Sequence, residues 1–196
     1  MSNIDFYIKF ISQQNGHVDE TIEEDYKKAA KFAYKKHEGQ TRSDGSPYIK
    51  HPANVASYIR KFKQSKKIDA LVSAAYLHDT VEDTDATYEQ IEKMFGKLVS
   101  SLVKELTSDK EQIAKVGKQK YLTDKMSKMS SWGLVVKLAD RLDNVQDIAT
   151  AKTPEWRKKY KAETEAILSD LEKNRALSKT HENLIHQIRF KLKEVQ

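Results

Sequence analysis

The chain has 196 residues, of which 38% are hydrophobic and 33% charged, so one compact domain with a substantial core is expected. It contains no cysteine. This absence excludes a disulfide scaffold, a thiolate metal site and a cysteine nucleophile, and leaves histidines and carboxylates as metal ligands. The sum of 35 Lys and Arg and 29 Asp and Glu gives a net charge of +6, which fits either a polyanionic ligand or ordinary solubility.

Signals for membranes and nucleic acids are missing from the sequence. No segment has the roughly 20 apolar residues that span a bilayer, and Met1–Lys9 has no basic segment leading into an apolar run, as a signal peptide would. We find no zinc finger, RNA-binding aromatic motif or long basic tract. We therefore expect a cytoplasmic protein with neither membrane nor nucleic acid as partner, and the sequence leaves the oligomeric state unknown.

Apolar residues recur at helical spacing from the N-terminus onward. A short helix is predicted over Ile4–Ser12, and acidic residues followed by basic ones predict a second over Glu20–His37. Turn residues indicate an irregular segment over Gln40–Lys50, and Pro52 suits the first turn of the next helix. An apolar run then predicts a central, buried helix that begins near Asp69 and ends in the His78-Asp79 region.

The second half of the chain is also predicted to be helical. A capping box over Thr87–Gln90 begins a helix that Gly96 interrupts, and Asp109–Lys118 is expected to be a loop. Further helices are predicted over Gln119–Ser130, Trp132–Ile148, Thr153–Ala176 and Lys179–Val195. No internal repeat or linker divides them, so we predict an all-α fold, a single bundle of about eight to ten helices over residues 1–196.

One histidine and three carboxylates stand together after the apolar helix. On a continuous helix, His78 and Glu82 would share one face, as would Asp79 and Asp83. The cluster is either a solvated helix end beside a core histidine or a cation site, since buried carboxylates need a partner. The apolar run that leads into it favours the cation site.

A second group of polar residues is embedded in apolar sequence further along the chain. Lys137, Asp140 and Asn144 lie on one side of a predicted helix. Asp140 is either a functional carboxylate or one half of a buried salt bridge with Lys137 or Arg141, and the spacing leaves both alternatives open. His51, at the end of the irregular segment, carries little weight alone.

Together these residues resemble a known family, the HD-domain metal-dependent phosphohydrolases, and within it the hydrolase domain of RelA/SpoT homologues. The order of one histidine, a His-Asp pair and a later aspartate is the family's signature. The blocks that carry the resemblance are His37-Glu38-Gly39-Gln40, Arg42-x-x-Gly45-x-Pro47-Tyr48-x-x-His51-Pro52, Leu77-His78-Asp79-x-Val81-Glu82-Asp83-Thr84 and Val136-Lys137-Leu138-Ala139-Asp140-Arg141-Leu142-x-Asn144.

The resemblance implies roles for residues at matched positions. It implies one Mn²⁺ per site, a set of ligands that leaves positions open for water and a phosphate oxygen, and an acidic pair that positions or deprotonates the attacking water. The implied ligands are His51, His78, Asp79 and Asp140. The acidic pair is Glu82 and Asp83. The implied substrate-binding residues are Arg42, Asn144, Tyr48, Lys137 and Arg141.

The resemblance also implies a function, that of a free-standing small alarmone hydrolase. Such an enzyme removes the 3′-pyrophosphate from ppGpp or pppGpp and leaves GDP or GTP. The same chemistry on adenosine alarmones such as ppApp or on another nucleotide, including a role as antitoxin to an alarmone synthetase, is the alternative. A non-catalytic alarmone-binding regulator is disfavoured, because all six residues implied as metal ligands and acidic pair are present.

Overall fold

The computed structural model describes Ile4, Phe6, Lys9 and residues 23–151 and 153–194. Within these residues the chain is helical apart from its connections, and the one β-type pairing is an isolated bridge between Thr41 and Pro47. The all-α prediction is confirmed. The predicted N-terminal helix and the start of the second fall largely outside the described residues. The chain divides into two compact units, residues 1–107 and 108–196, which are described separately.

The described part of the first unit contains five helices. They are α1 (Glu23–Lys36), α2 (Lys50–Phe62), α3 (Ile68–Leu77), α4 (Thr80–Asp83) and α5 (Tyr88–Leu106). Helix α3 contacts α1, α2 and α5. Every residue of α3 from Leu71 to Leu77 is buried, as the apolar run predicts for a central helix.

The start and the bend of α5 follow from local sequence. Thr87 accepts a hydrogen bond from the backbone N–H of Gln90, whose side chain in turn accepts from the backbone of Thr87, so the predicted capping box is present. Gly96 lies inside α5 with φ 84°, a conformation that residues with a Cβ rarely adopt. The predicted interruption at Gly96 is therefore confirmed.

The described part of the second unit also contains five helices. They are α6 (Lys110–Val116), α7 (Lys118–Lys128), α8 (Ser131–Ala151), α9 (Pro154–Asn174) and α10 (Lys179–Glu194). Helix α8 packs against α10, and α7 packs against α6 and α9. Pro154 begins α9 after Thr153, whose side chain accepts from the N–H of Trp156, as expected for a helix start.

The loop predicted over Asp109–Lys118 is wrong, because most of this segment forms α6. The side chain of Asp109 accepts from the N–H of Gln112 and caps the first turn. Gly117, with φ 84°, separates α6 from α7. The helix has no buried residue, so it lacks the apolar stripe on which the sequence prediction depended.

Candidate metal centre

The loop between α1 and α2 is a narrow turn closed by backbone hydrogen bonds. The N–H of Arg42 donates to the carbonyl of Ser46 (2.8 Å), and the N–H of Tyr48 donates to the carbonyl of Gln40 (3.0 Å). Gly45 occupies the turn with φ 79°, which favours glycine. The turn leads directly into α2, whose first two residues are Lys50 and His51.

The break between α3 and α4 positions the His-Asp pair. Helix α3 ends at Leu77, and Asp79, with φ −101° and ψ −4°, precedes the first residue of α4. The continuous helix on which the sequence prediction placed His78, Asp79, Glu82 and Asp83 is therefore interrupted. At this break the side chains of the adjacent residues His78 and Asp79 point toward one another.

Two imidazoles and one carboxylate converge at the start of α2 and the end of α3. The Nε2 atoms of His51 and His78 are 3.2 Å apart. Oδ2 of Asp79 lies 3.0 Å from Nε2 of His78 and 3.8 Å from Nε2 of His51. Both histidines are buried and Asp79 is partly buried. One ligand atom from each lies within 4.8 Å of those of the other two.

This donor set fits a divalent metal ion. The Nδ1–H of His78 donates to the carbonyl of Ala75 (2.7 Å), so the Nε2 of the neutral ring carries a lone pair that faces the cluster. Ligands in neighbouring positions about 2.1 Å from an ion lie about 3 Å from one another, close to the two shorter of the three observed separations, 3.0 and 3.2 Å. Nitrogen and oxygen ligands without sulfur suit a hard or borderline cation.

Tyr48 and His37 lie beside the cluster. The hydroxyl of Tyr48 donates to Oδ2 of Asp79. The ring of Tyr48 lies 4.5 Å from that of His37 and 5.8 Å from that of His51, between centroids. The sequence prediction placed Tyr48 at the substrate, and it assigned His37 no contact although His37 belongs to one of the matched blocks.

Burial and hydrogen bonding shift two pKa values in this region. Burial lowers the pKa of His37, although its hydrogen bond with Gln40 and the charge of Asp79 act in the opposite direction. Hydrogen bonds from the side chain and backbone of Ser46 lower the pKa of the exposed Asp44 to about 2. Asp44 is therefore ionised at neutral pH and stabilises the turn.

The predicted acidic pair lies on α4, directly after Asp79. The N–H of Asp83 donates to the carbonyl of Asp79 (2.9 Å), and the carbonyl of Asp83 accepts from the side-chain amide of Gln40 (3.3 Å). Glu82 is partly exposed and Asp83 is exposed. Both carboxylates are thus accessible to solvent on a turn that hydrogen bonds connect to Asp79 and to the loop after α1.

In the second unit, the carboxylate of Asp140 lies between two donors of its own helix. Lys137 Nζ lies 2.8 Å from Oδ2 of Asp140, and Nδ2 of Asn144 donates to Oδ1 (2.6 Å). The one-sided spacing predicted for Lys137, Asp140 and Asn144 on a helix is present in α8. Asp140 is buried and the other two are partly buried.

Arg141 is the centre of a buried polar cluster between α8 and α9. Its Nη1 donates to Glu163 (3.2 Å) and to Thr164 (3.0 Å), and its guanidinium lies 4.9 Å from the ring centroid of Tyr160. Burial raises the pKa of Tyr160 to about 12. These contacts are those of a buried ion pair, and the periodicity of α8 alone does not identify Glu163 as the partner.

The comparison with protein families identifies the class of protein. The family described as HD domain matches residues 29–176, well over half of the chain. The chain therefore belongs to the HD-domain family, whose members carry a divalent metal, and His51, His78 and Asp79 form a group suited to such an ion. Among the described residues, none of the helices combines the length and the hydropathy of a membrane-spanning segment.

Comparison with individual proteins finds relatives whose names state an activity, which the family match alone does not. The chain is 39% identical over 130 residues to human "Guanosine-3′,5′-bis(diphosphate) 3′-pyrophosphohydrolase MESH1", covering 65% of this chain and 72% of the human protein. It is 38% identical over 157 residues to "Guanosine-3′,5′-bis(diphosphate) 3′-pyrophosphohydrolase" from Aquifex aeolicus, covering 76% of this chain. The matched region is only 21% of that longer protein. The chain is also 34% identical over 171 residues to the Escherichia coli SpoT protein, and this match covers 22% of SpoT.

A solved structure supports the same relationship. That structure is of a metazoan orthologue of SpoT, described as hydrolysing ppGpp and playing a role in starvation responses. The TM-score is 0.72 at 28% identity, and the similarity covers 90% of this chain and 98% of that one. The helical HD fold is thus shared over nearly the whole of both chains.

Proposed function

We propose that this protein is a Mn²⁺-dependent hydrolase that removes the 3′-pyrophosphate from ppGpp or pppGpp, in the cytoplasm, and thereby lowers alarmone levels. The observation that carries the proposal is the convergence of His51, His78 and Asp79. Relatives from human and Aquifex aeolicus are named as hydrolases of this bond. Because the family match runs from residue 29 to 176, we propose that the whole chain forms one hydrolase domain.

His51, His78 and Asp79 would hold the ion, and Asp140 stays the predicted fourth ligand. When bound, the ion supplies Lewis acidity that polarises a phosphate oxygen and lowers the pKa of a water molecule. The hydrogen bond from His78 to the Ala75 carbonyl keeps the ring in the tautomer and orientation that ligation requires. If an Asp140→Asn variant binds Mn²⁺ with the affinity of wild type, Asp140 is not a metal ligand.

Glu82 and Asp83 are proposed to orient the attacking water and to accept its proton. Their position one turn after Asp79, with access for water, supports this role, since a general base must lie within hydrogen-bond reach of the water that it deprotonates. Water adds to the 3′-pyrophosphate, the bond to the ribose 3′ oxygen breaks, and that oxygen leaves with a proton. The products are GDP or GTP and pyrophosphate.

The proposed partner is a small-molecule nucleotide rather than a nucleic acid. Arg42 is proposed to stack on the base, and Asn144 to contact the ribose and 3′-phosphate, by the resemblance alone. Lys137 and Arg141 stay predicted contacts. The ion pairs that these two side chains make with Asp140 and Glu163 equally suit residues that support the fold.

Hydrolysis by metal-stripped protein tests the proposal. We would offer ppGpp, pppGpp and ppApp with and without Mn²⁺, and compare wild type with a His78→Ala, Asp79→Ala variant and with His186→Ala, which changes an exposed histidine. We expect Mn²⁺-dependent release of pyrophosphate from the guanosine nucleotides, lost only in the double variant. Release from ppApp alone would mean that the enzyme acts on adenosine rather than guanosine alarmones. No release from any of them would overturn the substrate class.

A further inference from the structure

The hydroxyl of Tyr48 is bonded to the carboxylate oxygen that faces both histidines. The acceptor is Oδ2 of Asp79, the same atom that lies 3.0 Å from Nε2 of His78 and 3.8 Å from Nε2 of His51. A carboxylate turns readily about its terminal bond. A hydrogen bond to one oxygen selects a single orientation of the group and thus determines which lone pairs face the ion.

The backbone around Tyr48 holds the residue between the loop and α2. Its N–H donates to the carbonyl of Gln40 (3.0 Å), and its carbonyl accepts from the N–H of His51 (2.9 Å). Tyr48 is therefore connected through the backbone to one histidine of the cluster and through its hydroxyl to Asp79. One residue thus links groups from α2 and from the break after α3.

The ring of His37 supports that of Tyr48 from the end of α1. The centroids lie 4.5 Å apart with 35° between the planes, and His37 is buried. Nδ1 of His37 is 2.8 Å from Oε1 of Gln40, and the amide of Gln40 donates to the carbonyl of Asp83. Because Gln40 orients His37, the tyrosine ring packs against a surface that is itself held in place.

We propose that Tyr48 is a positioning residue for the metal ligand Asp79, and that His37 acts through Tyr48. The inference rests on the proposed function only in that the cluster holds a divalent ion. It assigns to Tyr48 a role different from the substrate contact implied by the resemblance. Partners that orient metal ligands typically contribute 10–100-fold to metal affinity.

The first test is the Mn²⁺ affinity of a Tyr48→Phe variant, measured by calorimetry on metal-stripped protein without nucleotide. We expect the dissociation constant to rise about 10–100-fold, because the hydroxyl is lost while the ring stays. The matched control is Tyr76→Phe, since the buried hydroxyl of Tyr76 has no hydrogen-bond partner among the described residues. This control should bind Mn²⁺ as wild type does.

A second test separates this role from general damage to the fold. His37→Ala should weaken Mn²⁺ binding in wild type by less than Tyr48→Phe does, and should add little in the Tyr48→Phe background, because residues that act in series are not additive. Circular dichroism should show unchanged helix content. Two independent, additive losses would overturn the role of His37.

Unchanged Mn²⁺ affinity of Tyr48→Phe, with or without a raised KM for the nucleotide, would overturn the proposal for Tyr48. Failure of all binding of divalent ions by wild type would overturn it as well. If wild type does not hydrolyse ppGpp but Tyr48→Phe shows the expected loss of Mn²⁺ affinity, only the proposed substrate is overturned. The affinity measurement contains no nucleotide and does not depend on the substrate. The two proposals therefore fail in distinguishable ways.

Discussion

The first unit brings together atoms that can bind a metal ion, whereas in the second two buried carboxylates, those of Asp140 and Glu163, are each paired with a cation. Nε2 of His51, Nε2 of His78 and Oδ2 of Asp79 lie within a few ångströms of one another. In the second unit, Arg141 is paired with Glu163 and Lys137 with Asp140.

This difference distinguishes a cluster of metal-ligand atoms in the first unit from ion pairs that stabilise the fold in the second. Lone-pair donors that converge in a buried place repel one another unless a proton or a cation lies between them. Carboxylates paired with Arg or Lys already have a cation, so these ion pairs contribute to the fold whether or not a ligand is bound. The comparison predicts that the first unit responds to metal, and that the second responds to the loss of either partner of an ion pair.

The largest expected effect is in the second unit. Glu163→Ala leaves the buried guanidinium of Arg141 without its carboxylate, and removing one partner of a buried pair costs about 3–5 kcal/mol. Urea unfolding should show this loss in the free energy of unfolding. The double variant Arg141→Met, Glu163→Leu should recover much of it, whereas an equally unstable double variant would contradict the ion-pair interpretation.

The next effect belongs to the first unit and depends on metal. At a Mn²⁺ concentration of about 100 times its dissociation constant, binding to the folded state stabilises by about 2.7 kcal/mol. Thermal unfolding with and without Mn²⁺ should show this gain in wild type and in the exposed-site control His186→Ala, but not in His78→Ala. Stabilisation by Mn²⁺ that persists in His78→Ala would mean that the ion binds at another site.

A pH effect of at most about 2.7 kcal/mol is expected from Tyr160. Its pKa is about 12 in the folded state, against an ordinary value of 10.0. As pH rises from 10 to 12, the unfolded chain loses this proton first, so stability present below pH 10 is lost. Tyr160→Phe should make the fall in the free energy of unfolding less steep over this interval, and an unchanged slope would contradict the shift.

The smallest effect is the loss of one helix cap in each unit. Thr87→Ala and Thr153→Ala each remove a side-chain acceptor for a helix N-terminal N–H, which costs about 1 kcal/mol. Neither residue contacts the polar clusters, so Mn²⁺ affinity should stay that of wild type. Chemical unfolding and calorimetry measure the two quantities, and altered Mn²⁺ affinity would mean that these caps position the site.

Sequence patterns predict the parts of the fold that depend on neighbouring residues. The capping box at Thr87, the interruption at Gly96 and the start of α9 at Pro154 follow from short-range hydrogen bonds and backbone preferences. The apolar run of α3 predicts its burial. The exposed helix α6 is missed because it has no buried face to produce a periodic pattern.

The matched blocks identify the family, because several motifs in order are far more specific than any one of them. The same blocks select His51, His78 and Asp79, which the fold brings together. The local argument for the His-Asp region is only partly right. It assumes a continuous helix, whereas the chain leaves α3 at Leu77 and begins α4 at Thr80.

The helical class, most helix positions and the membership of the HD-domain family can be predicted from the sequence, because periodicity, caps and motifs are local properties of the chain. Which atoms of distant residues come into contact depends on how the helices pack. The hydroxyl of Tyr48 reaches Asp79, 31 residues away, and Arg141 reaches Glu163, 22 residues away. Such contacts depend on how separate helices pack, and no local pattern encodes the distance between two side chains that lie on different helices.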